Sequence, residues 1–197
     1  MITIGLTGRY CAGKSSLTPF FEMGGLKVIE VDQLGHQALS SSTKQLTNLF
    51  GLEILNEEGT VDRKKLGKIV FGDNKKLKEL ESIVHPKMVE EVVSLIELER
   101  AANTKGVIIN AALLKRMNLE KLCDATIYVA TPTLIRFFRS HKRDKTNIKK
   151  FVQIEKAQKE IRLKELKRSI KVFIIFNWVP RRFIYRQIEK FWATMGL

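Results

Sequence analysis

The run Gly8-Arg9-Tyr10-Cys11-Ala12-Gly13-Lys14-Ser15 constrains this chain more than any other feature. It has the form G-x-x-x-x-G-K-S and stands between an apolar stretch, Ile2–Leu6, and a helical pattern over Lys14–Met23. A strand, a glycine-bounded loop and a helix in that order form a cradle for phosphate. Gly8 and Gly13 let the backbone curl so that successive N–H groups face inward, and the positive end of the following helix adds to the attraction. Lys14 then reaches the β- and γ-phosphates, and Ser15 presents its hydroxyl to Mg²⁺. A nucleoside triphosphate site is expected, formed by Gly8, Arg9, Tyr10, Cys11, Ala12, Gly13, Lys14, Ser15 and Ser16.

Such a loop needs a sheet to seat it. Lys27–Val31, Val107–Asn110, Thr126–Ala130 and Val172–Phe176 join Ile2–Leu6 as strand candidates. Each is apolar on consecutive positions, as strands covered on both faces are. Helical patterns separate them. One fills 33–104, with Leu77, Leu80 and Val84 on one face and Met88, Val89, Val92, Val93 and Ile96 after Pro86. A basic one spans 147–168, and a last helix begins near Pro180 with Phe183, Ile184, Gln187, Ile188 and Phe191 at helical spacing. Alternating strands and helices imply an α/β class with a parallel, helix-covered sheet. The expected layout is a single domain whose core, 1–32, 105–135 and 170–197, is interrupted by helical insertions at 33–104 and 136–169.

Composition narrows the partners. Lys plus Arg is 35 against 21 for Asp plus Glu, a formal charge of +14, which attracts nucleic acid or phosphorylated small molecules. No recognised nucleic-acid motif or basic–aromatic interleaving is found, so a small-molecule substrate is expected rather than a specific nucleic acid. Lys149, Lys150, Lys156, Lys159 and Lys164 read as a solvated face that steers anions inward. Cys11 and Cys123 are too few for a disulfide framework and lack metal-ligand spacing. No apolar run approaches the ~20 residues of a membrane span, and MITIGLTG has no secretion-signal character, so a cytoplasmic location is expected. Oligomeric state has no sequence signal.

Asp32 follows the second strand, and in an open parallel sheet the carboxyl ends of the strands face the ligand crevice. A carboxylate there can accept the proton of an attacking hydroxyl or help hold hydrated Mg²⁺; it is equally at home as a helix N-cap. Glu30 shares its face by strand alternation or pairs with a lysine. Arg139 and Arg143, four apart, lie on one helix face from which both can neutralise phosphate. Cys11, at a helix N-terminus beside Lys14, is expected to carry a lowered pKa, with an inert buried thiol as the alternative.

Longer runs carry a resemblance. Leu6-Thr7-Gly8…Gly13-Lys14-Ser15, Val28-Ile29-Glu30-Val31-Asp32, Phe50-Gly51…Gly59-Thr60-Val61-Asp62-Arg63 and Leu80-Glu81-Ser82-Ile83-Val84-His85-Pro86 resemble the dephospho-CoA kinases, as do Leu113-Leu114 and the spacing of Arg139, Arg143-Asp144 and Gln158. The resemblance implies a three-layer P-loop kinase fold, with 33–104 as an acceptor-binding insertion and 136–169 as a lid. It implies ATP and Mg²⁺, with dephospho-CoA as the acceptor in the last step of coenzyme A biosynthesis. Asp32 corresponds to the base, Lys14, Arg139 and Arg143 to groups on the transferring phosphoryl, and Arg63, His85 and Leu113 to acceptor contacts. Arg63 could instead pair with Asp62, and His85 could be a helix-entry residue. His36 and His141 have no counterpart and read as surface residues, and Phe137 and Phe138 read as core.

The chain also departs from that pattern. Arg9, Tyr10 and Cys11 stand in a loop that is usually glycine-rich, and Glu30 replaces the first acid of the strand-end pair. Ala112 and Lys115-Arg116 replace a proline and a Phe-Glu pair, and Phe176 replaces the carboxylate before Asn177, the residue the resemblance ties to adenine.

Overall fold

The computed structural model describes residues 1–159, 161, 163 and 171–196. The end of the expected 147–168 helix, including Lys164, lies outside the described residues. Five strands form one parallel sheet in the order β2-β3-β1-β4-β5. They are β1 (Ile2–Thr7), β2 (Leu26–Glu30), β3 (Gly106–Asn110), β4 (Ala125–Ala130) and β5 (Val172–Phe176). β1 pairs with β3 through Ile4↔Ile108 and Leu6↔Asn110, and with β4 through Leu6↔Ile127. Being central, β1 delivers the loop after Thr7 between the ends of its two neighbours. Ile4, Leu6, Ile108 and Ile127 are fully buried, which is why these strands are apolar without alternation.

The segment after the loop is not the single helix expected over Lys14–Met23. Lys14–Ser16 winds as a 3-10 turn and α1 covers only Thr18–Met23. Pro19 explains this, since it has no N–H to give to the carbonyl of Ser15. The Thr18 hydroxyl donates to that carbonyl instead, at 3.2 Å, while Leu17 N–H donates to Lys14 O at 2.8 Å.

By backbone contacts the chain divides into two compact units, Met1–Ile29 with Leu98–Leu197, and Glu30–Glu97. The first contains the sheet, α1, α6 (Thr133–Asp144), α7 (Ile148–Ala157) and α8 (Arg181–Met195). In its core Phe191 meets Phe173 edge-on with centroids 4.9 Å apart, and meets Phe21 at 6.4 Å. The second unit holds α2 (Val31–Ser41), α3 (Thr43–Phe50) and α4 (Arg63–Val70). Leu46, Phe50, Ile54, Leu66 and Val70 form its core. The Asp62 carboxylate caps α4, accepting from Lys64 N–H at 2.7 Å and Lys65 N–H at 3.2 Å.

Two further expectations change. The second strand ends at Glu30, not Val31, so Asp32 lies in the first turn of α2 and the cap position falls to Glu30. Strand alternation therefore does not relate Glu30 to Asp32. A single helix, α5 (Asn74–Ala101), continues through Pro86 without a break. Its buried stripe of Val84, Met88, Val92 and Ile96 continues on both sides of the proline, and burial of that stripe outweighs one missing backbone hydrogen bond. His85 is thus mid-helix rather than at a helix entry.

Phe191 is 2% exposed and touches three aromatic rings. Phe191→Ala should destabilise the fold by about 3–5 kcal/mol, measured by denaturant unfolding.

Candidate active site

The loop between β1 and the 3-10 turn is shaped by two backbone constraints. Gly13 has φ 88°, a left-handed conformation that glycine adopts without penalty. Gly8 packs so closely that a Cβ there would lie 2.9 Å from Val129 O. Cys11 also takes a left-handed conformation, φ 57°, although it carries a side chain. Two amides of the loop are engaged inside the protein. Ala12 N–H donates to Arg9 O at 2.9 Å, and Tyr10 N–H donates to Gln158 Oε1 at 2.7 Å. The inward-facing set of N–H groups is accordingly smaller than the whole loop.

The side chains that break the glycine-rich pattern attach the loop to α6 and α7. Arg9 pairs with Glu155 (NH1–Oε2 2.8 Å) and donates to the Glu155 carbonyl at 2.9 Å. Glu155 also receives both terminal nitrogens of Arg136, which is buried. The Tyr10 hydroxyl donates to Asp144, and its ring lies under Arg143, whose guanidinium carbon is 5.4 Å from the centroid. Arg143 holds Asp144 through two bonds, of 2.9 and 2.8 Å. Bonds from Arg143, then from Tyr10, depress the Asp144 carboxyl to about 2. Burial alone would raise the Glu155 carboxyl, but bonds from Arg136 and the charges of Arg136 and Arg9 outweigh it, and its pKa falls.

Cys11 does not behave as expected for a thiol at a helix N-terminus. Burial raises its pKa, and the nearby Arg143 charge only partly offsets this. The helix end that was to lower it is a short 3-10 turn, which has little aligned dipole.

A cleft of about 600 Å³ opens beside the loop, lined by Cys11, Gly13, Ser16, Arg139, Lys142 and Arg143. Arg139 and Arg143 do share one face of α6, and the structure adds Lys142 to them. Arg139 is turned to the backbone, NH1 donating to Ala12 O at 3.2 Å and NH2 to Asn177 O at 2.7 Å. Ser15 and Ser16 are exposed, Lys14 is half-buried, and Leu113 packs against the buried Tyr128 and Ile161. Phe137 packs edge-on to Phe151 at 5.4 Å, whereas Phe138 is 67% exposed and not core. Its place on the outer face of α6 was not legible from hydrophobicity alone.

The Glu30–Glu97 unit has its own cleft, of about 170 Å³, in which Arg63 and His85 meet Leu39, Leu77, Leu80 and Met88. Arg63 does not pair with Asp62, which caps α4; Arg63 NH1 lies 2.5 Å from His36 Nε2. His36 is exposed, as expected, but engaged. His141 is exposed too, with Nδ1 3.2 Å from Thr146 O. Asp32 is exposed on the first turn of α2.

The sequence matches the family described as dephospho-CoA kinase (CoaE) over residues 2–177. The chain belongs to the dephospho-CoA kinase family. It is therefore a kinase, and its family carries out the final step of coenzyme A biosynthesis. It is 35% identical to the dephospho-CoA kinase of Borreliella burgdorferi over 191 residues, 96% of this chain and 92% of that protein. Protein TT1252 of Thermus thermophilus superposes with a TM-score of 0.79 at 25% identity, covering 98% of this chain and 97% of that one. A dephospho-CoA kinase from Campylobacter jejuni has the same fold, with a TM-score of 0.71 at 24% identity over 98% and 96% of the two chains. The P-loop kinase fold is thereby shown, and no helix among the described residues is long and apolar enough to cross a membrane.

Sequence reasoning missed the buried Arg136–Glu155 pair, Lys142, and Thr131, whose hydroxyl donates to Ala12 O at 3.0 Å. Arg136 and Glu155 are 19 residues apart on different helices, and only a basic residue inside an apolar helix pattern hinted at a buried charge.

Two outcomes follow from this geometry. Glu155→Gln leaves the buried Arg136 with no full counter-charge and should destabilise by about 3–5 kcal/mol at neutral pH. Because the folded pKa of Glu155 is depressed, the difference from the parent is full above 4.5 and shrinks as pH falls through the folded value, seen in unfolding curves against pH. Cys11 should react slowly with iodoacetamide at neutral pH, with a rate midpoint above the ordinary 9.0.

Proposed function

We propose that this chain transfers the γ-phosphoryl group of ATP to the ribose 3′-hydroxyl of dephospho-CoA, giving CoA, and does so in the cytoplasm. The observation that carries this reading is the cleft that joins Arg63 and His85, residues from two separate runs resembling the dephospho-CoA kinases. A guanidinium and an imidazole among leucines and a methionine suit an acceptor that is anionic at one part and apolar at another. In this reading 33–104 is the acceptor-binding part and 136–169 the lid, both within one kinase domain.

Gly8–Ser16 hold the triphosphate, with Lys14 on its terminal phosphates. Asp32 takes the proton of the 3′-hydroxyl as that oxygen forms its bond to the γ-phosphorus. The bond from the γ-phosphorus to the bridging oxygen breaks, and its electron pair leaves on ADP. Arg139 and Arg143 spread the charge of the transferring group, for which each exchanges one of its present bonds, to Ala12 and Asn177 or to Asp144. His85 and Arg63 hold acceptor phosphate, and Leu113 supplies an apolar contact.

Ser15 offers one exposed hydroxyl, and among the described residues no group of three or more His, Cys, Asp or Glu side chains could hold a metal. That donor set fits Mg²⁺, which keeps waters and takes phosphate oxygens for most of its ligands. When bound, Mg²⁺ neutralises charge on the β- and γ-phosphates.

The test is ADP release with and without dephospho-CoA, with CoA detected by mass. Acceptor-dependent ADP matched by CoA supports the reading; ATP binding with no CoA formed removes it. Asp32→Asn should lower kcat by about 10²–10⁴-fold with ATP affinity unchanged, and undiminished turnover would take Asp32 out of the base role. Arg63→Ala should raise KM for dephospho-CoA and leave that for ATP alone.

A further inference from the structure

The carbonyl of Ala12 accepts from three side chains: Thr131 Oγ1 at 3.0 Å, Asn177 Nδ2 at 3.0 Å and Arg139 NH1 at 3.2 Å. The next carbonyl, Gly13, accepts from Asn177 Nδ2 at 2.9 Å and from the Ser16 hydroxyl at 2.8 Å. A carbonyl oxygen has two lone pairs, so three donors on Ala12 exceed what satisfying it requires. What such a set does achieve is to fix direction. Each peptide unit is planar and trans, so its N–H points opposite to its C=O. Holding the Ala12 carbonyl therefore aims the N–H of Gly13, and holding the Gly13 carbonyl aims the N–H of Lys14, both away from Asn177. A carbonyl turned the other way would set its negative end against a phosphate.

Asn177 is the side chain common to both carbonyls. It is 5% exposed and follows β5, where its own N–H donates to Ala130 O at 3.0 Å and its carbonyl receives Arg139 NH2 at 2.7 Å. Its amide nitrogen also lies 3.1 Å from Ser16 Oγ. A Cβ on residue 13 would collide with that nitrogen, so Gly13 and Asn177 are fitted to each other. Two N–H groups on one amide nitrogen serve three acceptors on the loop, so the donors of this amide are committed there.

We infer that Asn177 is a positioning residue of the phosphate loop, orienting the Gly13 and Lys14 amides toward the phosphates rather than recognising adenine. This rests on the reading of Gly8–Ser16 as the triphosphate site. The resemblance ties the same residue to the base, so the two roles make opposite forecasts.

The experiment is calorimetric titration of the full chain, in Mg²⁺ buffer, with inorganic tripolyphosphate, ATP and GTP. Asn177→Ala and Asn177→Leu, which removes the donors at similar volume and adds no charge, should weaken all three ligands together by about tenfold or more. KM for dephospho-CoA should not move. Weaker ATP with parent-like tripolyphosphate would assign Asn177 to the base and overturn the inference. So would a lower unfolding temperature with every Kd unchanged, since that is a purely structural role. Should both Asn177 variants fail to fold, Thr131→Val removes one donor from Ala12 and must show the same joint weakening at smaller size; parent-like affinities there would also overturn it. A parent chain that binds ATP acceptor-productively but not tripolyphosphate would refute the positioning role while sparing the kinase reading, whereas a parent that binds none of the three would sink both.

Discussion

The direction of two consecutive peptide planes, Ala12–Gly13 and Gly13–Lys14, is the constraint on which the rest of the site depends. A loop can hold an anion only if its amides face it and its carbonyls do not. That requirement explains why residue 13 lacks a side chain and takes φ 88°, and why the ends of β4 and β5 bring Thr131 and Asn177 to the carbonyl side. It also accounts for the central place of β1, which needs a neighbour on each side to seat the loop. The 3-10 turn at Lys14–Ser16 matters less than a long helix would, because it sums few peptide dipoles. On the reading proposed above, the attraction for phosphate comes instead from oriented amides and from the cations around them.

Like charges so close together repel, and acids have to separate them. Arg139, Lys142 and Arg143 line the cleft beside the loop, and Arg9 and Arg136 lie close by. Glu155 absorbs Arg9 and Arg136, and Asp144 absorbs Arg143 through a two-point contact. The pairing of Arg9 turns what the sequence shows as a departure, a charged residue in a glycine-rich loop, into an anchor between the loop and α7. Tyr10 works in the same way on α6. The loop in this chain is thus held in part by its own side chains.

Legibility in the sequence differed between fold and site. The five strands were each placed to within one residue at every edge, because strands covered on both faces are written as short continuous apolar runs. Helix ends were harder. Pro19 shortened α1 and Pro86 did not interrupt α5, since a proline's effect depends on whether a buried stripe continues past it. Asp32 moved from a strand end into the first turn of a helix for a related reason: Val31, apolar and fully buried, suits either element equally.

For this protein the sequence alone determined the phosphate loop, the alternation of strand and helix, and membership of a kinase family, because each depends on residues close together in the chain. Only the tertiary structure decided what Asn177, Glu155 and Arg139 touch. Their partners lie 165, 146 and 127 positions away in the chain, at Ala12, Arg9 and Ala12. Hydrogen-bond direction and the pairing of buried charge are settled by groups that meet in space, and no local pattern of residue types records which groups will meet.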